Sequence, residues 1–278
     1  MRKKDRLTST LSYFSKFQYA PTLGQIHMFY GENISRSNLQ KMLTKFVHQK
    51  VLTEDQIDKE KVYASTKNKK FINIRRQRQN YSLSKLKIAE STATILSGIP
   101  QVKLVGLSGS VAMMNAKKSH DIDLFIITSS NNLWTGRLLA LLALQLLGTR
   151  RGYGEKKVKN KICCNLFFDG RNVILPVYKQ SLYTAHEVLQ MIPLVSKNNT
   201  YQKFIEKNSW VFKTFPNAKN YTRSREVIKK IFEIKLLKIL SLFESLFRKI
   251  QLTLINKRKT NEIVTETQLW FHLTDSKP

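Results

Sequence analysis

Cysteine, acid and long apolar runs are what this chain has least of. Its 278 residues include two cysteines, the adjacent Cys163 and Cys164. They fall in an apolar, strand-like run where successive side chains face opposite ways, so they do not pair with each other, and no flanking ligands complete a metal site around them. A disulfide framework is excluded, and both read as buried free thiols. The one membranous-looking stretch, residues 138–147, falls well short of the ~20 apolar residues that span a bilayer. Bracketed by Arg137 and Arg150, it reads as a leucine- and alanine-rich helix packed across a sheet. The N-terminal Met1-Arg-Lys-Lys sequence lacks the apolar segment of a secretory signal, so a cytoplasmic protein is expected.

Acidic residues number 19 against 48 basic ones, leaving a net charge of +29. Such a charge attracts any polyanion through counterion release and long-range attraction. Lysine, asparagine and isoleucine are abundant together, however, a pattern that AT-rich coding produces unaided, so the charge does not name a partner. A hydrophobic content of 42% supports a packed core in one or two domains and excludes a disordered chain.

The most informative segment runs from residue 102 to 127. Val102 to Leu107 is apolar and partly β-branched, which predicts a buried strand, and Ser108-Gly109-Ser110 is the turn that follows. Glycine lets backbone N–H groups approach a phosphate, and the run 111–116 can begin a helix whose N-terminus favours an anion. In the next apolar run the period of two sends Asp121 and Asp123 to one face of a strand and Ile122 and Leu124 to the other. Two carboxylates so placed can share a divalent cation, and magnesium takes such hard oxygen ligands together with phosphate oxygens and water.

Gly109 and Ser110, the loop after them, and the Asp-x-Asp strand together resemble the nucleotidyltransferase superfamily of polymerase beta-like fold, over roughly residues 84–180. The resemblance implies an α/β (α+β) fold, a small mixed sheet flanked by helices. It implies that Asp121 and Asp123 are catalytic and hold Mg2+ or Mn2+, that Gly109 and Ser110 bind the nucleotide, and that a nucleoside monophosphate passes from a nucleoside triphosphate to an acceptor hydroxyl of unassigned class. Family members generally add a third carboxylate on a neighbouring strand. Here the run 161–168 has Asn165 as its one interior polar residue, with Asp169 at its end. Asn165 cannot take a proton but can ligate a metal or orient a nucleophile through its amide, which makes it the candidate third-site position; satisfying the sheet edge is the alternative. The departure keeps open a second function, a nucleic-acid-binding, antitoxin-like regulator that retains the fold without turnover.

Four parts are expected: a module at 1–66, a basic linker and helix at 67–100, the catalytic core at 101–180, and a helical region at 181–278. In the first, three short helices precede a hairpin built from residues 51–52 and 62–64, a pattern that resembles a winged helix-turn-helix. Leu39, Met42, Leu43 and Phe46 give the third helix an apolar face, Ser35 or Ser37 caps it, and Arg36, Lys41, Lys45 and Lys50 are available to nucleic acid. Residues 67–78 are basic enough to line a polyanion, although a solvated helix face is the commoner outcome. His186 with Glu187 can be read as acid-base chemistry, but a helix-surface histidine beside a glutamate is more commonly structural, and Asn208 and Trp210 either shape a base pocket or pack. A long helix over 224–255 carries an apolar stripe of Ile231, Ile234, Leu237, Leu240, Leu246 and Ile250. It is expected to pack on the core or on a second copy, with membrane-surface binding as an alternative. The aromatic run 268–273 docks onto the body.

Overall fold

Three amphipathic helices open the computed structural model, which describes residues 3–222, 233–257 and 262–271. They are α1 (Lys3–Lys16), α2 (Leu23–Met28) and α3 (Arg36–His48). Thr22 and Gln25 form a capping box at the start of α2, and Ser35 rather than Ser37 accepts from the Asn38 N–H to start α3. Leu39, Leu43 and Phe46 face inward with Leu7, Ile26 and Tyr63. The antiparallel hairpin β1 (Leu52–Ile57) and β2 (Glu60–Ser65) closes this unit.

The expected linker is the first half of one continuous helix, α4 (Lys70–Ser97). The basic stretch over 67–78 is not uniformly solvated: Arg75 and Arg78 are buried, while Lys67, Lys69, Lys70 and Arg76 are exposed. Arg75 lies over the Tyr19 ring and donates to the carbonyl of Ala20 and to Gln25 Oε1. Arg78 donates to Phe17 O at 3.1 Å, Gln18 Oε1 at 2.8 Å and Asn115 Oδ1 at 3.0 Å, tying the N-terminal unit to the loop beyond the glycine-serine turn.

The central sheet begins with β3 (Val102–Leu107), followed by α5 (Gly109–Ala112), β4 (Ile122–Thr128), α6 (Leu133–Leu146), β5 (Ile162–Asp169), α7 (Leu182–Gln190) and β6 (Ile192–Ser196). Then come α8 (Thr200–Lys207), α9 (Val211–Thr214) and α10 (Lys219–Thr222). A 3₁₀ helix over Lys235–Phe243 leads into α11 (Glu244–Asn256), and β7 (Ile263–Val264) and β8 (Gln268–Trp270) end the described chain. The strand order is β6-β3-β4-β5-β8-β7, with β4 and β5 parallel and the other pairs antiparallel. The expected mixed sheet with flanking helices is therefore present.

Alternation along β4 divides the core. Ile122, Leu124 and Ile126 pack with α4 and α6, while Phe125 and Ile127 join Phe14, Phe29, Leu189 and Phe204 on the opposite face. Asn208 is buried and satisfies the Leu175 N–H and the Val173 and Phe204 carbonyls, and Trp210 packs on the same cluster, so both serve packing. His186 is buried among aromatic rings rather than on a helix surface. The expected helix over 224–255 begins outside the described residues, Ile231 included, and continues as the 3₁₀ segment and α11. Ile234, Leu246 and Ile250 in its stripe are exposed, while Leu237 and Leu240 are half-buried. No described helix is long and apolar enough to cross a membrane.

Candidate active site

After β3 the chain turns at Ser108, whose N–H donates to the Asp123 carbonyl at 3.0 Å and so holds the turn against the start of β4. Gly109 adopts φ +63°, and a Cβ there would lie 2.6 Å from Asp123 Oδ2. Both the left-handed backbone and the closeness of the carboxylate require glycine at this position. Ser110 follows, with its Oγ 3.0 Å from His120 Nδ1.

Asp123 lies within β4, and Asp121 immediately precedes the first residue of that strand. The parallel register sets Asp123 opposite Cys163, and carboxylate oxygens of Asp121 and Asp123 and the Cys163 Sγ all lie within 4.8 Å of one another. Such a group can hold a metal ion. Cys163 is thus half-buried at the site rather than an inert core thiol lacking neighbouring ligands; Cys164 points to the other face, and neither is in a disulfide. Asn165 is brought to the same place, its Nδ2 donating to Asp123 Oδ1 at 2.7 Å. Asp169 is not: it pairs with Thr128 at the far end of β4 and binds the Asn131 and Arg171 N–H groups.

Burial, then the charges of Asp121 and Glu187, push the Asp123 carboxyl up to about 7, against the lowering effects of Arg151 and Asn165. Arg151 Nη1 sits 2.5 Å from Asp121 Oδ2 and 3.9 Å from Cys163 Sγ, so a guanidinium already neutralises part of the cluster. Burial, then the two aspartates, push the Cys163 thiol up to about 12, which keeps it protonated. The Glu187 carboxyl on α7 is also raised by burial to about 7, with the Gly109 N–H pulling in the opposite direction. A third carboxyl therefore approaches the turn from a helix instead of from a strand. Behind the site the Lys85 ammonium donates to the carbonyl of His120 at 2.5 Å and to Asn160 Oδ1 at 2.7 Å, fixing the loop that delivers Asp121.

Gly109, Ser110, Asp121, Asp123 and Asn165 are thus gathered in one place, joined by Cys163, Arg151, His120 and Glu187. Two of these additions had a signal in the sequence. Cys163 shares strand parity with Asn165, and His120 directly precedes Asp121. Glu187 and Arg151 depend on how distant segments fold over the end of β3 and the start of β5. No protein-family model, no curated protein and no solved structure matches this chain.

Proposed function

We propose that this protein is a metal-dependent nucleotidyltransferase of the cytoplasm, carrying a winged-helix-like N-terminal module on a nucleotidyltransferase-type core. The observation that carries the reading is the contact of the positive-φ Gly109 turn with Asp123, inside a two-carboxylate cluster where β3 ends and the interior strand β4 begins. The donor set suits a hard divalent cation. Two of its three ligand atoms are carboxylate oxygens, which a hard cation takes, with the Cys163 Sγ beside them.

In this reading Asp121 and Asp123 would hold Mg2+ or Mn2+, and the turn at Gly109 and Ser110 would bind the β and γ phosphates of a nucleoside triphosphate, the Gly109 N–H turning from the Glu187 carboxyl to a phosphate oxygen. When bound, the metal neutralises charge at the transferring phosphoryl group. Asn165 orients Asp123 through its amide hydrogen bond. Asp121 would be shared between the cation and Arg151 or released by the arginine, which its half-exposed position permits. Glu187 accepts the proton of the acceptor hydroxyl at a carboxylate oxygen, a role suited to a carboxyl raised to about 7. The hydroxyl oxygen forms its bond to the α-phosphorus as the bond to the bridging oxygen breaks, and pyrophosphate leaves. Incubation of the chain with each labelled nucleoside triphosphate, Mg2+ or Mn2+, and cellular RNA or protein tests the reading through label transfer and pyrophosphate release.

A second reading has its own support. Asn165 stands where a strand carboxylate is expected, and Arg151 already occupies Asp121. Arg36, Lys41, Lys45 and Lys50 are all exposed on or just beyond α3. Together these favour a nucleic-acid-binding regulator without turnover. Under that reading Asp121→Ala leaves nucleic-acid affinity unchanged, and no metal-dependent label transfer occurs.

A further inference from the structure

The segment from residue 234 to 257 is solved on its inner side and unexplained on its outer side. Inside, Gln101 Nε2 donates to the Leu237 carbonyl at 2.7 Å and to Ser241 Oγ at 3.0 Å. Glu244 caps α6 by accepting from the Trp134 and Thr135 N–H groups at 2.8 and 2.7 Å, and the Gln251 Nε2 donates to the Trp134 carbonyl at 2.8 Å. Phe247, Leu252 and Ile255 join the core from the same side.

Outside, Leu236 and Leu242 are each 79% exposed, with Ile239 at 57% between them. A 3₁₀ helix has three residues per turn, so these three form one line along its surface. In α11 the exposed Leu246, Ile250 and Leu254 continue at a spacing of four, again on one face. Lys235, Lys238, Arg248 and Lys249 are exposed on the same segment, and its one acidic side chain, Glu244, is turned inward by its capping bonds. The outer face therefore presents leucine, isoleucine and cations with no anion among them.

We propose that this face docks on an anionic lipid surface, lying in the plane of the headgroups with its apolar side chains at the acyl boundary. Charge complementarity selects this occupant. Anionic headgroups meet the lysines and arginine while the acyl boundary takes the leucines, and long cationic side chains reach outward from a shallow helix to do so. A second copy would set these cations against one another in a chain of net charge +29. A nucleic acid would meet the cations and leave the leucines in water. The inference is independent of the nucleotide-transfer reading.

The test uses the full chain with vesicles of phosphatidylcholine, with and without one quarter phosphatidylglycerol, in a sedimentation assay. Because the whole chain is cationic, the deciding variant keeps its charge: Leu236→Asn, Ile239→Asn and Leu242→Asn combined. The expected result is binding to the anionic vesicles and a drop of about a hundredfold in partition constant for the triple variant at the same salt concentration. A Leu242→Trp variant should be quenched by lipids brominated on the acyl chains, which also decides the matter if the triple variant folds poorly. Equal binding of parent and triple variant, meaning adsorption by net charge alone, would overturn the proposal, as would an unquenched Trp at 242. So would a dimer in solution that the triple substitution dissolves while vesicle binding stays unchanged.

Discussion

Protonation of His186 should be a main acid trigger of unfolding. The ring is 2% exposed, stacked 3.6 Å from Tyr13 and 4.1 Å from Phe29, with Phe14 and Phe215 edge-on. Its Nδ1 has no hydrogen-bond partner. An imidazolium there would be unsolvated, and burial lowers the pKa to about 3. The unfolded chain takes up this proton near pH 6.5, whereas the folded chain does so only near 3. The stability involved is fully present above pH 6.5 and is lost progressively as pH falls toward 3. Between pH 7 and pH 4 the linkage amounts to about 3 kcal/mol. Urea unfolding of the parent and of His186→Phe at pH 7, 6, 5 and 4 isolates it, because the two proteins share every other titrating group. The stability difference should move by about 3 kcal/mol in favour of the variant as pH falls over that range. A difference that stays constant with pH would show that the native imidazole is not held neutral.

Gly109→Ala should lose about 1 to 3 kcal/mol by urea unfolding, from positive-φ strain and the clash with Asp123, and should lose Mn2+ binding measured by calorimetry. Arg151→Gln removes the counter-ion from Asp121; with that arginine half-exposed, stability should change by less than about 1 kcal/mol, while Mn2+ affinity rises several-fold. Arg78→Met leaves Asn115 Oδ1 and Gln18 Oε1 without the Arg78 donor, while the Phe17 carbonyl keeps the Asn115 Nδ2 bond, and should cost about 2 to 4 kcal/mol in the same unfolding assay. Glu187→Gln should lower kcat for nucleotide transfer by about a hundredfold with nucleotide affinity unchanged, whereas a parallel loss of nucleotide binding would assign Glu187 to the binding turn instead.

The strands were legible because their chemistry is local. The apolar, β-branched runs at 102–107 and 122–128 and the glycine-serine turn between them needed only period and turn chemistry. The three N-terminal helices and their hairpin were readable from caps and apolar spacing for the same reason. Charge misled where burial decided: Arg75 and Arg78 look like a basic surface in the sequence, yet backbone carbonyls of the N-terminal unit take both guanidinium groups inside. Cys163 was misread because its partners lie on another strand and meet it only through the β4–β5 register. Glu187 drew notice only as the neighbour of His186, since its bond to Gly109, some 80 positions away in the sequence, exists only once α7 packs on the sheet. The long helix expected over 224–255 failed on its stripe. Leu237 and Leu240 turn toward the body, but the 3₁₀ stretch changes the period from 3.6 to 3.0 and leaves other apolar residues facing out.

The experiment that bears hardest on the proposed activity compares the parent with the Asp121→Ala, Asp123→Ala double variant in nucleotide transfer, with Mg2+ or Mn2+, each nucleoside triphosphate, and cellular RNA and protein as acceptors. Metal-dependent transfer by the parent, reduced by several orders of magnitude in a double variant that keeps its circular dichroism spectrum, is the predicted result. Absence of transfer with either metal, alongside nucleic-acid binding that both proteins share, would contradict it and leave the regulator as the reading that stands.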